Sequence, residues 1–112
     1  LITPDPGRDE TNLIAALERC LVRGARLVQL RAPSLRAAAY RALAREALAC
    51  CRAHDARLML NADPELALEL GADGVHLNTR RLYAAGTRPV PSDCLLSVAC
   101  HDAHALAQAG RI

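Results

Sequence analysis

The chain has 112 residues, 52% of them hydrophobic, and a formal net charge of +2. That length suits one small domain with a real core. The charge is too small, and the arginines too scattered, to point to nucleic acid. With two Tyr and no Phe or Trp there is no platform for stacked bases, and no apolar run reaches membrane-spanning length.

Leu1–Thr3 reads as the end of a buried strand, and Pro4-Asp5-Pro6-Gly7 is turn chemistry. Asp9 can cap a helix running to about Arg23, with Leu13, Leu17 and Leu21 on one face and Gly24 as its stop. Arg26–Leu30 is a second strand. Ser34 can cap a long Ala-rich helix ending near His54, with Leu35, Leu43 and Ala47 available to its buried face. Arg57–Leu60 is a third strand. Asp63-Pro64-Glu65 starts a short helix with a capping carboxylate and Pro at the first helical position, and Gly71 stops it. Gly74–Leu77 is a fourth strand. A brief helix after Thr79 ends by Gly86, and a loop follows over Thr87–Ser92. Cys94–Ala99 is a fifth strand, and Asp102 can cap a last helix toward Ala109.

Strands alternating with helices predict an α/β fold with a parallel sheet, because parallel neighbours need a crossover connection. A weak repeat supports this: Gly24-Ala-Arg-Leu27, Asp55-Ala-Arg-Leu58 and Gly71-Ala-Asp-Gly74 each close a helix and open a strand. Two architectures fit. One is an open doubly wound sheet, which the pattern alone favours because it closes within this length. The other is the first part of an eight-stranded β/α barrel, which needs roughly 200 residues or more.

Five cysteines (Cys20, Cys50, Cys51, Cys94 and Cys100) form neither a disulfide framework nor a zinc-finger spacing. They predict reduced thiols, mostly buried as small apolar groups, in a cytoplasmic protein. The N-terminus has no basic segment or cleavage site and opens inside an apparent strand. The expectation is no signal peptide, and a natural chain that starts earlier.

Side-chain alternation along strands sorts the polar residues. Gln29 and Arg31 share one face of the second strand, and His76 and Asn78 share one face of the fourth. Asn61 ends the third, and His101 follows the fifth. Taken singly, each has a plain role: a satisfied core amide, a rim arginine, a turn former, a hydrogen-bonded core histidine. His54 and His104 read as surface residues, and Asp73 as a holder of the turn between Gly71 and Gly74. The recurrence of polar groups at the C-terminal ends of successive strands favours a shared site, because parallel β/α proteins bind their ligands there. No glycine-rich phosphate loop and no pair of strand-end carboxylates accompanies them.

At these same residues the sequence resembles a known family. Leu1-Ile-Thr-Pro-Asp5, Val28-Gln-Leu-Arg31, Leu60-Asn61, Glu69-Leu-Gly-Ala-Asp-Gly-Val-His-Leu77 and Ser97-Val-Ala-Cys-His-Asp102 follow the order seen in thiamine-phosphate synthases and the related thiazole tautomerases. The resemblance implies an eight-stranded parallel β/α (TIM) barrel, so that residues 1–112 are about the first five strand–helix units of one partial domain, truncated at both ends. It displaces the open-sheet preference. It also implies a role in thiamine biosynthesis, in which hydroxymethylpyrimidine diphosphate is joined to thiazole phosphate and pyrophosphate leaves with magnesium.

Residue by residue, the resemblance assigns Gln29, Arg31, Asn61 and His76 to the pyrimidine diphosphate pocket, with Asn78 beside them. The lysine expected two positions after Arg31 is Pro33. The two magnesium aspartates are Ala62 and Arg81, and no metal is expected in this chain. Asn78-Thr79 replaces the glutamine that follows the Val-His-Leu run, and Ala99 stands for the fifth-strand serine. Catalytic activity is therefore an open question at this point. One alternative is a non-catalytic ligand-binding domain, since the phrasing is most like the divergent members fused to a Nudix hydrolase. Another is a metal-independent thiazole tautomerase. The partners implied are small phosphorylated thiamine precursors, with no nucleic acid and no membrane. The bare sheet is expected to be covered by self-association or by the rest of the barrel.

Overall fold

The computed structural model describes residues 1–112. Five helices alternate with four strands: α1 Glu10–Val22, β1 Leu27–Leu30, α2 Ala37–Ala53, β2 Arg57–Leu60, α3 Pro64–Leu70, β3 Gly74–Leu77, α4 Thr79–Ala84, β4 Leu95–Val98 and α5 Ala103–Ala109. All strand pairs are parallel, and their spatial order is the chain order β1-β2-β3-β4. The expected first strand is reduced to a single parallel bridge between Ile2 and Gln29, held by Gln29 N–H on Leu1 O at 2.8 Å and Thr3 N–H on Gln29 O at 3.0 Å. It lies beside β1, so the sequential order extends to it. A doubly wound sheet would reverse its order at a switch point, and this sheet does not.

Sequential parallel strands with right-handed crossovers place every helix on one face. The core follows that rule. Val28, Leu30, Leu58, Leu60, Val75 and Leu77 cluster with Leu13, Leu17 and Leu21 of α1, Leu43, Ala47 and Cys51 of α2, Ala67 of α3 and Leu82 of α4. Each fully buried leucine here contributes about 1.5–3 kcal/mol. The alternate positions, Leu27, Gln29, Met59, His76 and Ser97, point the other way, to the face that is the interior of a barrel. The chain is one wall of a parallel β/α barrel.

Local chemistry explains most element ends. Asp9 accepts from Asn12 N–H at 3.2 Å and caps α1, and Asp102 accepts from Ala105 N–H at 2.7 Å and caps α5. Gly71 takes the left-handed conformation that stops α3, with φ of 72°. Two expected caps are not formed. Ser34 lies in the turn before α2, whose N-cap is Arg36, and its hydroxyl donates to Asp5 Oδ1 at 2.6 Å. Asp63 occupies the N-cap position of α3, but its carboxylate is turned to Arg81. Asp73 does more than hold a turn. Its Oδ2 accepts from Leu58 N–H and from Arg52, both at 2.7 Å, and its carbonyl accepts from Leu95 N–H at 2.9 Å. The cysteines also depart from expectation: only Cys51 is buried, and the other four are half-buried.

Candidate functional site at the strand ends

The strand register brings two of the predicted polar residues, Gln29 and Asn61, into contact. Gln29 pairs with Met59 in the β1–β2 ladder, so Asn61 follows one step up the same face. There Asn61 Nδ2 donates to Gln29 Oε1 at 3.3 Å. Each amide is thereby oriented by the other and keeps further donors and acceptors free. Asn61 N–H donates to Leu30 O at 3.1 Å, which carries β1–β2 pairing to the rim.

Arg31 is fixed through its backbone. Thr3, which is buried, accepts from Arg31 N–H at 3.0 Å and donates to Arg31 O at 3.2 Å. The Arg31 side chain is exposed and makes no ion pair. Below it, the buried Tyr40 hydroxyl donates to Leu30 O at 2.9 Å, and burial pushes that phenol far above its usual range, so it stays a neutral donor.

Asn78 caps α4, accepting from Arg81 N–H at 2.9 Å. That bond turns α4 so that Arg81 returns toward α3, where its Nε donates to Asp63 Oδ1 at 2.9 Å. A recess of about 300 Å³ opens between these groups, lined by Arg31, Ala32, Pro33, Asn61, Asn78 and Arg81. Two guanidiniums and two amides line it, and no acid does.

His76 stands deeper on the same face. Its Nδ1 is 2.7 Å from Ser97 Oγ, its register partner on β4. Burial holds the imidazole pKa below its ordinary 6.5. Ser97 is a contact that sequence reasoning missed. Its signal was available, because it is the one hydroxyl in the fifth strand and sits at a fixed register from His76. Arg81, which stands at a lost acid position and offers positive charge there, is a wall of the recess. His101 is exposed beyond β4 and is outside the recess.

The residues at the two expected magnesium positions do not fit that ion. Ala62 offers a buried methyl group and Arg81 a cation, whereas Mg²⁺ needs oxygen ligands, usually including a carboxylate. Asp63 is already paired through its Oδ1 with Arg81, and of the two other acids in the adjoining groove, Glu65 and Glu69, Glu69 is paired with Arg41.

Comparison with known proteins bears on the family and the fold. The family profile described as thiamine monophosphate synthase matches residues 1–112. A thiamine-phosphate synthase of Chromobacterium violaceum is 39% identical over 109 residues, which are 96% of this chain and 52% of that protein. One from Nitrosospira multiformis is 49% identical over 76 residues, 68% of this chain and 32% of the relative. Among solved structures, a thiamine phosphate pyrophosphorylase from Pyrococcus furiosus superposes with a TM-score of 0.76 at 18% identity, covering 97% of this chain and 52% of that one. The chain thus spans about half the length of such relatives or less. With its sequential parallel strands and a family match over its whole length, the chain belongs to the thiamine monophosphate synthase family.

Proposed function

We propose that this chain forms the pyrimidine-binding half of a thiamine-phosphate-synthase-type barrel that acts on small phosphorylated thiamine precursors. The observation that carries the reading is the mutually oriented amide pair Gln29–Asn61, whose Asn61 lines the same rim recess as Arg31. Paired amides offer donors and acceptors to the edge of a pyrimidine ring. A planar guanidinium can donate two parallel hydrogen bonds to a phosphate. Joining hydroxymethylpyrimidine diphosphate to thiazole phosphate, with loss of pyrophosphate, is the reaction this half would serve. His76 is neutral at physiological pH, so it would act there as a hydrogen-bonding group rather than a charge. A second reading, a ligand-binding domain without catalysis, is favoured by the misfit of Ala62 and Arg81 to magnesium.

The test is Arg31→Ala in the full-length protein, with calorimetric titration of hydroxymethylpyrimidine and of its phosphorylated forms, and a thermal melt alongside. The expected result is a loss of about tenfold or more for the phosphorylated ligands, consistent with one charge-assisted contact, and little change for the unphosphorylated one. Equal loss for both, or no binding by the parent protein, defeats the reading. Turnover of the two phosphorylated precursors to thiamine phosphate separates the enzyme from the binding domain.

A further inference from the structure

We infer that Arg81 and Asp63 form an anion-displaced clamp, in which the guanidinium of Arg81 serves pyrophosphate or a phosphate ester without a divalent metal. This rests on the proposed phosphate-binding reading and extends it to a residue outside that reading.

Three observations support it. First, Arg81 engages Asp63 through Nε alone. Its terminal amino groups carry no other hydrogen bond, and Arg81 lines the recess together with Arg31, Asn61 and Asn78. A guanidinium bound on one edge retains donors that suit a phosphate's geometry. Second, the two partners differ in exposure. The Arg81 side chain is 21% exposed and the Asp63 side chain 76%. An exposed carboxylate is strongly hydrated, so the ion pair is weak and can yield to an anion that meets Arg31 and Arg81 together. Third, Asp63 sits at an N-cap position and yet makes no cap hydrogen bond to α3. Its carboxylate is committed to the arginine instead of to its own helix, so it acts as the resting counter-ion of Arg81.

The consequence is a site in which positive charge is built in rather than recruited. Metal-assisted phosphate binding needs an acid to hold the ion, and the ion to hold the phosphate. Here Ala62 removes one acid position, and Arg81 brings the cation directly. Asp63 then tunes affinity by competing with the ligand: the bound anion takes Arg81, and Asp63 is released to water.

The test is calorimetric titration of the full-length protein with inorganic pyrophosphate, in EDTA and in saturating Mg²⁺, for the parent, Arg81→Ala and Asp63→Asn. The expected pattern is binding in EDTA with no gain from Mg²⁺ beyond about twofold. Arg81→Ala should weaken it about tenfold or more, and Asp63→Asn should tighten it about threefold or more. Because Asp63→Asn leaves Arg81 intact and removes only its competitor, the gain in affinity also guards against an Arg81→Ala protein that is merely damaged. Pyrophosphate affinity unchanged in both variants overturns the clamp while leaving Arg31 as the phosphate ligand. A tenfold or greater requirement for Mg²⁺ overturns it as well. No pyrophosphate binding with hydroxymethylpyrimidine still bound overturns the clamp alone, and loss of both ligands defeats the proposed function with it.

Discussion

His76 Nδ1 and Ser97 Oγ lie 2.7 Å apart across the β3–β4 pair, on the face away from the helices. Burial disfavours the imidazolium, so the folded-state pKa is below the unfolded value near 6.5. The unfolded chain therefore takes up its proton first as pH falls. The stability associated with neutral His76 is fully present above about pH 6.5 and is lost as pH drops toward the folded value. NMR titration of the imidazole should give a midpoint below 6.5. His76→Gln should flatten the fall in stability between neutral and mildly acid pH. A midpoint above 6.5 would mean that a charge partner, not burial, governs the ring. Ser97→Ala should cost about 1 kcal/mol, the usual net value of one intramolecular hydrogen bond.

Gly74 opens β3 opposite Leu95 of β4. A Cβ placed on Gly74 would lie 2.6 Å from both Leu95 Cβ and Leu95 O. The backbone oxygen cannot swing aside, so the two strands would have to separate locally. Gly74→Ala should destabilise the protein by about 1–3 kcal/mol, as overpacking does, visible in a denaturant titration. An unchanged midpoint would show that the β3–β4 pair is more compliant than its spacing implies.

Asp73 joins three strands at the end opposite the recess. Its carboxylate accepts from Leu58 N–H of β2, and its carbonyl from Leu95 N–H of β4. Removing the carboxylate orphans a partly buried amide. Asp73→Ala should cost about 1–3 kcal/mol, read as a lower melting temperature. Because the strand-end recess does not include Asp73, ligand affinity measured well below that temperature should be unchanged. A large affinity loss would place the site at the wrong end of the sheet.

Cys51 is fully buried against the core, and burial pushes its thiol up to about 11. The reactive thiolate is therefore scarce at neutral pH. Alkylation of the native protein, followed by mass spectrometry, should leave Cys51 unmodified until denaturant is added. Modification at a rate like that of a free thiol would mean that α2 opens readily from the sheet.

Much of this architecture was legible in the sequence. Arg57–Leu60 and Gly74–Leu77 were read to the residue, because each is a short apolar run bounded by turn chemistry. Alternation along the strands put Gln29 with Arg31 and His76 with Asn78, and the recess contains Arg31, Asn61 and Asn78 together. Caps supplied by neighbours three residues away were correct at Asp9 and Asp102. What failed was decided at long range. Ser34 is taken by Asp5, 29 residues away, and Asp63 by Arg81, 18 residues away, and no local rule contains those partners. The strand at Leu1–Thr3 shrank to a bridge because only Ile2 pairs in ladder fashion, with Gln29, while Thr3 holds Arg31 through its side chain.

By itself, the sequence determined the elements, their parallel arrangement and the face each side chain would take, since these follow from periodicity and turn chemistry along a single stretch of chain. Between an open sheet and a barrel wall its pattern preferred the open sheet, and only a resemblance argued otherwise. The tertiary structure decided that question through strand order, with all helices on one face. It also decided which polar groups touch: Ser97 reaches His76, and Arg81 lies between Asp63 and the recess, because the parallel register sets residues from distant segments side by side. Such contacts depend on how far each crossover carries the chain before the next strand begins, a quantity fixed by packing of the helices and not by any local run of residues.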